Sequence, residues 1–424
     1  MMIRFLYTIL LSLIAPIYLF LLLKSKKGKP KIGHRWKEYF GVTPDITNGE
    51  KPIWIHAVSV GEVLASLPLI EEIKKRHPKQ RILVTTTTTT GAQQVLKLGS
   101  KVEHRYMPLD FKFAVSRFLK TIKPKELLII ETELWPNTLS VTHNQGVPIT
   151  IINARLSEKS CQNYARVQKI FNLIHPCLTQ VLCQSESDAA RFERLGVDKQ
   201  KIKVTGSIKF DLSVSDEIRQ DGRRLRSALG ENRPVWIAAS THNGEEKKIL
   251  RVHKDILRKE PNALLILVPR HPERFNDVFS LCTQTGLKTE RRSFHTQSEK
   301  FDAPSTQVYL GDTMGEMLVL MGASDVCFMA GSLIGDKVGG HNILEPISLD
   351  IPTITGPSYF NFKDIVDSLI EIDGIKISDQ EDLGSVVYSL MMNENKKESI
   401  VTSSKLFMSN NIGALSRTIS LIGK

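Results

Sequence analysis

The stretch PIWIHAVSVGEV, residues 52–63, joins a short apolar, β-branched run to a glycine and the start of a helix-like pattern. A change from strand-like to helix-like periodicity is typical of a βα unit. Further runs of this kind, each followed by a helix-length stretch, occur at 81–88, 126–131, 148–154 and 181–185. A strand and a loop follow at 201–211. The alternation predicts an α/β fold with a parallel, doubly wound sheet.

The same alternation begins again at PVWIAAS, residues 234–240. Later runs of this second series lie at 263–270, 307–311, 325–332 and 351–357. Residues 211–234 between the two series are charged and carry few large apolar side chains. Because 424 residues exceed one ordinary core, we predict two Rossmann-like domains, at 51–215 and 216–424. We expect them to face a cleft lined by the carboxyl ends of their strands.

The first 25 residues predict a membrane anchor, followed by a basic linker at 26–50. Residues 5–23 contain no charged side chain, and as a helix they would extend about 28 Å, close to a ~30 Å hydrocarbon core. The basic residues after this run place the later domains in the cytoplasm. Two alternatives are a cleaved signal peptide, which the position of the basic cluster disfavours, and a helix lying in the interface, which Pro16 and Arg4 would allow.

The formal net charge of +12 indicates an anionic partner. Several of these charges follow the predicted anchor directly, so an anionic membrane surface accounts for part of the excess. No helix-turn-helix, zinc-finger or RNP pattern indicates nucleic acid. The five cysteines lack Cys-x-x-Cys spacing, which argues against a disulfide framework or a zinc site. The six threonines at 85–90 are expected to continue a strand.

Glu62 lies just after the first predicted strand, at the start of a helix. A carboxylate in this position can accept a proton from a substrate hydroxyl as a general base. It can equally be an ordinary acid that stabilises the helix start. Gly61 before it is expected to permit a close approach or an unusual backbone angle. Position alone leaves both interpretations of Glu62 open.

Two acids and a lysine elsewhere in the first half point to the same kind of site. Glu131 and Glu133 in ETELWPN follow a strand and are two residues apart, so both can point the same way. Lys209 in TGSIKFD could neutralise an anionic donor in the transition state. The alternatives are acids at a solvated strand end and an ordinary exposed loop lysine.

The second half carries residues suited to a nucleotide. Pro269 and Arg270 follow a strand, and an arginine there suits a phosphate. The amides of residues 314–316 lie near a helix start and suit an anion or a base edge. Glu345, three residues after Asn342, can hold a ribose, although a capping box would also explain this pair. The chain has no Walker A, GxGxxG, GxSxG or Asp-x-Asp motif, which disfavours P-loop, nicotinamide and metal-chelating sugar-nucleotide enzymes.

Taken in order, these motifs give the chain a family likeness. It resembles the 3-deoxy-D-manno-octulosonate (Kdo) transferases of lipopolysaccharide biosynthesis. The resemblance rests on HAVSVGEV, ETELWPN, NARLSEKS, TGSIKFD, STHNGEE, LVPRHPERF, GDTMGE, GGHNILEP and GPSYFNFKD. It implies a glycosyltransferase of GT-B fold that transfers Kdo from CMP-Kdo to a lipid A precursor, with inversion and without a metal or cofactor. It also implies an enzyme of the bacterial inner membrane with its catalytic domains in the cytoplasm.

The resemblance also implies residue roles. Glu62 is expected to be the general base, and Glu131 and Lys209 to be transition-state stabilisers. The residues expected to contact CMP are Pro269, Arg270, Met314, Gly315, Glu316, Asn342, Ile343, Leu344 and Glu345. Ile343 stands where proline is frequent in the family. The alternatives are another GT-B enzyme, such as a hexosyltransferase or a UDP-sugar epimerase, and a membrane-tethered nucleotide-binding protein without catalysis.

Overall fold

The computed structural model describes residues 7–9, 11–16, 32–46, 50–212, 214–295 and 305–422. The chain divides into two compact units. The first runs to Asp211 and includes the C-terminal residues from Asn411. The second comprises Leu212–Asn410.

The first unit contains a sheet of seven parallel strands. Its strands are β1 (Ile53–His56), β2 (Ile82–Thr86), β3 (Glu103–Tyr106), β4 (Glu126–Ile130), β5 (Ile149–Ala154), β6 (Gln180–Cys183) and β7 (Ile202–Val204). Its helices are α1 (Val60–Arg76), α2 (Thr89–Leu96), α3 (Lys112–Ile122), α4 (Pro136–Asn144), α5 (Glu158–Arg166), α6 (Gln168–Ile174) and α7 (Glu186–Arg194). A 3-10 helix, Gly33–Phe40, precedes them.

The strand order of this sheet is β3-β2-β1-β4-β5-β6-β7. The chain therefore reverses its direction across the sheet between β1 and β4, whose register pairs Ile53 with Glu126. Side chains of β1 alternate between the two faces, as the period of a strand requires. Ile53 and Ile55 pack with α1, whereas Trp54 packs with Phe118 of α3 on the other face. Burial on both faces explains the continuous apolar runs seen in the sequence.

The second unit contains another parallel sheet of seven strands, in the order β10-β11-β9-β8-β12-β13-β14. Its strands are β8 (Val235–Thr241), β9 (Leu264–Pro269), β10 (Thr289–Arg291), β11 (Val308–Leu310), β12 (Val326–Met329), β13 (Thr353–Thr355) and β14 (Lys376–Ile377). Its helices are α8 (Asp216–Leu229), α9 (Glu245–Lys259), α10 (Phe275–Gln284), α11 (Arg292–His295), α12 (Met317–Gly322), α13 (Leu344–Ile347), α14 (Lys363–Glu371), α15 (Leu383–Met392) and α16 (Glu394–Asn411). Its direction reverses between β8 and β12.

The last helix, α17 (Ala414–Leu421), belongs to the first unit. Ala414 is buried in the same apolar cluster as α1, with Leu415 and Ile419 packed against that cluster. The sequence prediction had assigned these residues to a domain at 216–424. The structure differs because helix α17 buries its apolar side on the first sheet's helix layer.

The predicted linker at 26–50 also differs in part. The 3-10 helix Gly33–Phe40 packs on the first unit, where the Glu38 carboxylate accepts the backbone N–H of Tyr106 at 2.6 Å and is paired with Arg35 at 2.7 Å. These described residues are therefore part of the fold.

The predicted anchor lies largely outside the described residues, which include 7–9 and 11–16 of it. Those residues are helical, and the hydroxyl of Tyr7 donates to the carboxylate of Asp110 at 2.9 Å. Within the described part of the chain, no helix combines the length and the apolar character needed to cross a membrane.

The predicted series of parallel strands in two Rossmann-like units is confirmed. The expectation for the threonine run is wrong beyond Thr86, where β2 ends. Thr88 instead caps α2, because its hydroxyl accepts the N–H of Gly91 at 3.1 Å. Threonine suits this position because its hydroxyl can satisfy an amide at a helix start.

Candidate functional site

Glu62 lies in the first turn of α1, which follows β1 after a three-residue loop. The helix is capped by Ser59, whose hydroxyl oxygen accepts the N–H of Glu62 at 3.3 Å. The carboxylate of Glu62 accepts the N–H of Val58 at 2.7 Å and the hydroxyl of Ser59 at 2.8 Å. The carboxylate therefore stabilises the start of α1, which is one of the two roles that the sequence analysis considered for Glu62.

Gly61 does not behave as expected. It is helical, it does not have a positive φ, and a Cβ atom there would meet only the hydroxyl of Ser59, at 3.8 Å. Glycine is therefore not required at this position by the chain itself.

The carboxylate of Glu62 is buried, and this burial raises its pKa to about 7. The negative charges of Glu131 and Glu133 also raise it, while the hydrogen bonds from Val58 and Ser59 lower it. A carboxylate with a pKa near neutrality exchanges protons readily at physiological pH, which is the property a general base needs. The helix-start interpretation explains the hydrogen bonds of Glu62, and the raised pKa makes the same carboxylate suitable as a general base.

Glu131 and Lys209 form an ion pair in the same unit. Glu131 directly follows β4, and its Oε1 lies 3.2 Å from Nζ of Lys209. Its φ of +63° lies in the left-handed region, an unfavourable conformation for a side chain other than glycine. Because β1 and β4 flank the reversal of the strand order, Glu62 and Glu131 lie where doubly wound sheets bind ligands. Glu133 lies close by and accepts the indole N–H of Trp135 at 3.0 Å.

The segment that carries Lys209 is held from two directions. The amide oxygen of Asn153, at the end of β5, accepts the N–H of Ile208 at 3.2 Å. The carboxylate of Asp211 accepts the backbone N–H groups of Gly413 and Leu415, at 2.6 and 2.7 Å. These contacts place the start of α17 directly against the end of the 3-10 turn Ile208–Phe210, here called the Lys209 turn.

In the second unit, Arg270 follows β9 and the Asn342–Glu345 segment follows β12. The capping-box interpretation of this segment is wrong. Asn342 Oδ1 accepts the N–H of Leu344 at 3.2 Å, and its amide N–H donates to Glu345 at 3.2 Å. The amide thus orients Glu345, whose pKa burial raises and the charge of Arg270 lowers.

Residues 314–316 lie in the turn between β11 and α12. Gly315 has a φ of +87°, and Met314 is exposed. The carboxylate of Glu316 is paired with the guanidinium of Arg292 at 2.7 Å, which lowers the pKa of Glu316. The backbone of this turn is therefore anchored from its end. Among the described residues, no group of three or more His, Cys, Asp or Glu side chains is arranged to hold a metal ion.

Comparison with known proteins decides the family. A family model described as 3-deoxy-D-manno-octulosonic-acid transferase (kdotransferase) matches residues 34–212. A 3-deoxy-D-manno-octulosonic acid transferase of Haemophilus influenzae is 38% identical over 426 residues, which cover 99% of this chain and 98% of that protein. The transferase of that name from Bordetella pertussis is 30% identical over 384 residues, covering 88% and 86% of the two chains.

The chain belongs to the 3-deoxy-D-manno-octulosonic acid transferase family. It is therefore a glycosyltransferase, and the resemblance found in the sequence is confirmed. The transferase is also similar in fold to HepE of Anabaena in complex with UDP and glucose, with a TM-score of 0.51 and 16% identity, covering 88% of this chain and 98% of that one. This likeness supports the GT-B fold class.

Some residues of this site were missed by sequence reasoning. The clamp of Asp211 on the start of α17 joins positions about 200 residues apart, which no local pattern indicates. Asn153 could have been suspected, since a polar residue inside the apolar run PITIINA is unusual. It is fully buried and has a φ of +56°. The individual roles of Glu62, Glu131, Lys209 and the CMP-contacting residues stay predictions.

The raised pKa of Glu62 predicts the pH dependence of the transferase. A general base acts only when ionised, so kcat/KM should rise with pH up to about 7 and then level. The substitution Glu133→Gln removes a charge that raises this pKa, and the acidic limb should move to lower pH. The measurement is kcat/KM against pH for the wild type, Glu133→Gln and Glu158→Gln, an exposed-acid control on α5. If the acidic limb of the profile lies at the same pH in Glu133→Gln as in the wild type, the assignment of this limb to Glu62 is wrong.

Proposed function

We propose that this transferase moves Kdo from CMP-Kdo to a hydroxyl of a lipid A precursor, with inversion and without a metal, at the cytoplasmic face of the inner membrane. Glu62 carries the proposal, because it is a buried carboxylate with a pKa of about 7 beside the Glu131–Lys209 pair. Membership of the Kdo transferase family supports Kdo as the transferred sugar.

The proposed reaction is a single displacement. Glu62 accepts the proton of the acceptor hydroxyl as its oxygen forms a bond to the anomeric carbon of Kdo. The bond from that carbon to the phosphate oxygen breaks, and CMP leaves with the electron pair. A single displacement inverts the anomeric configuration. The ammonium group of Lys209 stabilises the negative charge that develops, and Glu131 holds that ammonium group at 3.2 Å.

Residues of the second unit are proposed to hold CMP. Arg270 supplies a positive charge to the phosphate. Glu345, oriented by the amide of Asn342, is suited to accept hydrogen bonds from ribose hydroxyls. The turn at Met314–Glu316, together with Pro269, Ile343 and Leu344, offers backbone groups to the base and phosphate.

The decisive experiment incubates the purified protein with CMP-Kdo and a lipid A precursor, with and without EDTA, and determines the products by mass. The expected product is the acceptor with one or more added Kdo residues, in the same yield with EDTA. Loss of product with EDTA would overturn metal independence. A reaction with a UDP-sugar in the absence of lipid would favour the epimerase, and binding of CMP without any product would favour a silent binding protein.

The membrane location is supported by exposed aromatic side chains on the first unit. Trp36 and Phe113 are 41% and 54% exposed, on the 3-10 helix and on α3. These two elements pack against each other at Gly41, which ends the 3-10 helix. Gly41 lies so close to α3 that a Cβ atom on it would be 2.0 Å from the carbonyl oxygen of Ala114. Exposed aromatic residues beside lysines and arginines are typical of a surface that lies on an anionic membrane.

We expect the double substitution Trp36→Gln and Phe113→Gln to weaken binding to vesicles that contain anionic lipid by about tenfold. Co-sedimentation with vesicles measures the effect, and the melting temperature checks the fold. The matched control is Leu406→Gln, an exposed apolar residue of α16 in the second unit, which is 62% exposed. Equal loss of binding in the control would contradict a membrane-facing role for Trp36 and Phe113.

A further inference from the structure

Three histidines meet at the carboxyl edge of the second sheet. His242 directly follows β8, His271 follows β9, and His341 lies in the loop after β12. These three strands are neighbours in the sheet, and its direction reverses between β8 and β12. Ligands of doubly wound sheets bind at this kind of reversal. The sequence prediction assigned no role to any of the three histidines.

His242 and His341 point at each other. Their Nε2 atoms are 2.8 Å apart, and the rings are within 9° of parallel with centroids 5.0 Å apart. The centroid separation exceeds the nitrogen separation by about the sum of the two ring radii, so the rings lie edge to edge and nearly in one plane. Such a hydrogen bond needs one Nε2–H donor and one bare Nε2 acceptor. In the neutral pair, the ring that donates has a bare Nδ1, and a further proton would bind there.

Positive groups surround this histidine pair. The charges of Arg270 and His271 act on both rings, and that of Arg274 acts on His242. Glu246 acts on His242 with the opposite sign, but its carboxylate is already paired with Arg274 and accepts the hydroxyl of Thr241 at 3.0 Å.

The nearby carboxylate of Glu245 is also occupied by other hydrogen bonds. Glu245 accepts the backbone N–H groups of His242, Gly331, Ser332 and Leu333, at 2.8–3.0 Å. Arg270 is exposed and forms no ion pair within the part of the chain that the structure describes. Of the charged groups near the pair, Arg274 is paired with Glu246, and Nδ1 of His271 lies 3.9 Å from the carboxylate of Glu273. Arg270 is therefore the positive charge beside the pair that is left to meet an anionic ligand.

This environment keeps the pair neutral. Burial and the neighbouring positive charges lower the pKa of His341 to about 3, and they also lower the pKa of His242. An anion placed beside the pair would act in the opposite direction, because an opposite charge favours the protonated form of a histidine. The nitrogen that gains the proton would then be able to donate a hydrogen bond to the anion.

We propose that the His242–His341 pair is a proton-linked anion site, which takes up one proton when an anionic group of the donor binds beside Arg270 and His271. The inference rests on the proposed donor, a CMP-sugar acid. Such a donor carries two anionic groups, the phosphodiester and the sugar carboxylate. The pair acts by binding and orientation, and Nδ1 of one imidazole carries the added proton.

A purely structural role would have a different signature. The ring of His341 packs on Gly331, where a Cβ atom would lie 2.7 Å from Cδ2 of the ring. The hydrogen bond to His242 could therefore serve only to join the loops after β8 and β12. A pair of that kind stays neutral and takes up no proton when a ligand binds.

Isothermal titration calorimetry separates the two roles. The full-length protein is titrated in EDTA, in two buffers of different ionisation enthalpy, between pH 6 and 8. One probe is the methyl phosphodiester of CMP, which carries a single charge throughout this range, and the other is CMP-Kdo without acceptor. We expect uptake of about one proton per ligand at the lower pH, and an association constant that falls by up to about tenfold per pH unit. Uptake with both probes assigns the phosphate as the anion, and uptake with CMP-Kdo alone assigns the carboxylate.

The double variant His242→Gln and His341→Gln keeps amide groups that can hydrogen-bond but cannot titrate. It should bind without proton uptake and with little dependence on pH. His143→Gln, an exposed histidine on α4 of the first unit, should take up protons like the wild type. Uptake that persists in the double variant would overturn the proposal, and so would a wild type that binds without uptake, whether or not the variant folds. If neither probe binds the wild type, the proposed CMP-sugar donor fails as well.

Discussion

The substitution Glu62→Gln is expected to lower kcat by about 10² to 10⁴-fold, the usual contribution of a general base. Glutamine keeps the size of the side chain and can still accept one of the two hydrogen bonds from Val58 and Ser59. It cannot accept a proton from the acceptor hydroxyl. Binding of CMP, measured by calorimetry, should stay within about threefold of the wild type because Glu62 and the residues proposed to contact CMP belong to different units.

The matched control for Glu62 is Asp188→Asn. Asp188 lies in the first turn of α7 with the same local pattern, since Ser185 donates to its carboxylate at 2.6 Å and accepts its N–H at 3.2 Å. This variant should lose some stability but keep its turnover. Similar losses of turnover in both variants would show that Glu62 only stabilises a helix start.

The stability of the Glu62 variant has its own pH dependence. The folded-state pKa of Glu62, about 7, lies above its ordinary value of 4.5. The folded protein therefore holds this proton more tightly than the unfolded chain, and Glu62 lowers the stability as pH rises from about 4.5 to 7. Glutamine removes this contribution. The free energy of unfolding of Glu62→Gln should thus decrease less between pH 5 and 8 than that of the wild type.

The second large effect is expected for Lys209→Met, which should lower kcat by about 10² to 10³-fold, as is typical when one stabilising group of a transition state is lost. Methionine keeps most of the aliphatic chain and removes the ammonium group that Glu131 holds. Lys209→Arg should recover only part of the activity, because a planar guanidinium does not reproduce the position of a compact ammonium. The measurement is kcat and KM for CMP-Kdo at saturating acceptor.

A control and a double variant complete this test. Lys201→Met removes a lysine of the same unit whose ammonium group donates to the carbonyl oxygens of Pro176 and Leu178, and its activity should be normal. Glu131→Gln combined with Lys209→Met should cost little more than Lys209→Met alone if Glu131 acts by holding the ammonium group. Fully additive losses would mean that Glu131 acts independently of Lys209.

Sequence reasoning found the central strands and missed three strands, β3, β10 and β14. All three lie at sheet edges. A central parallel strand is buried on both faces, so its sequence is a continuous apolar run that is easy to recognise. An edge strand such as Glu103–Tyr106 alternates partly exposed and buried side chains over only four residues. Its assignment depends on the neighbouring strand more than on its own composition.

For the candidate site, residue type and position made Glu62, Glu131 and Lys209 candidates, and the resemblance of the whole chain to a family gave them their expected roles. Two further features of the molecule became visible only in the folded structure. The pKa of Glu62 depends on burial and on the charges of Glu131 and Glu133, which follow strand β4 and lie about 70 residues later in the sequence. The His242–His341 pair joins loops of two neighbouring strands, 99 residues apart. Neither relation has a local sequence pattern.

The return of helix α17 to the first unit has a consequence for synthesis of the protein. The backbone amides that hold Asp211 belong to Gly413 and Leu415, which are translated about 200 residues later. At a synthesis rate of roughly 5 to 20 residues per second, this interval is about 10 to 40 s. Throughout it, the Lys209 turn lacks its C-terminal clamp, while all of the second unit is being translated. The nascent first unit thus acquires its final form only after the whole second unit has been translated.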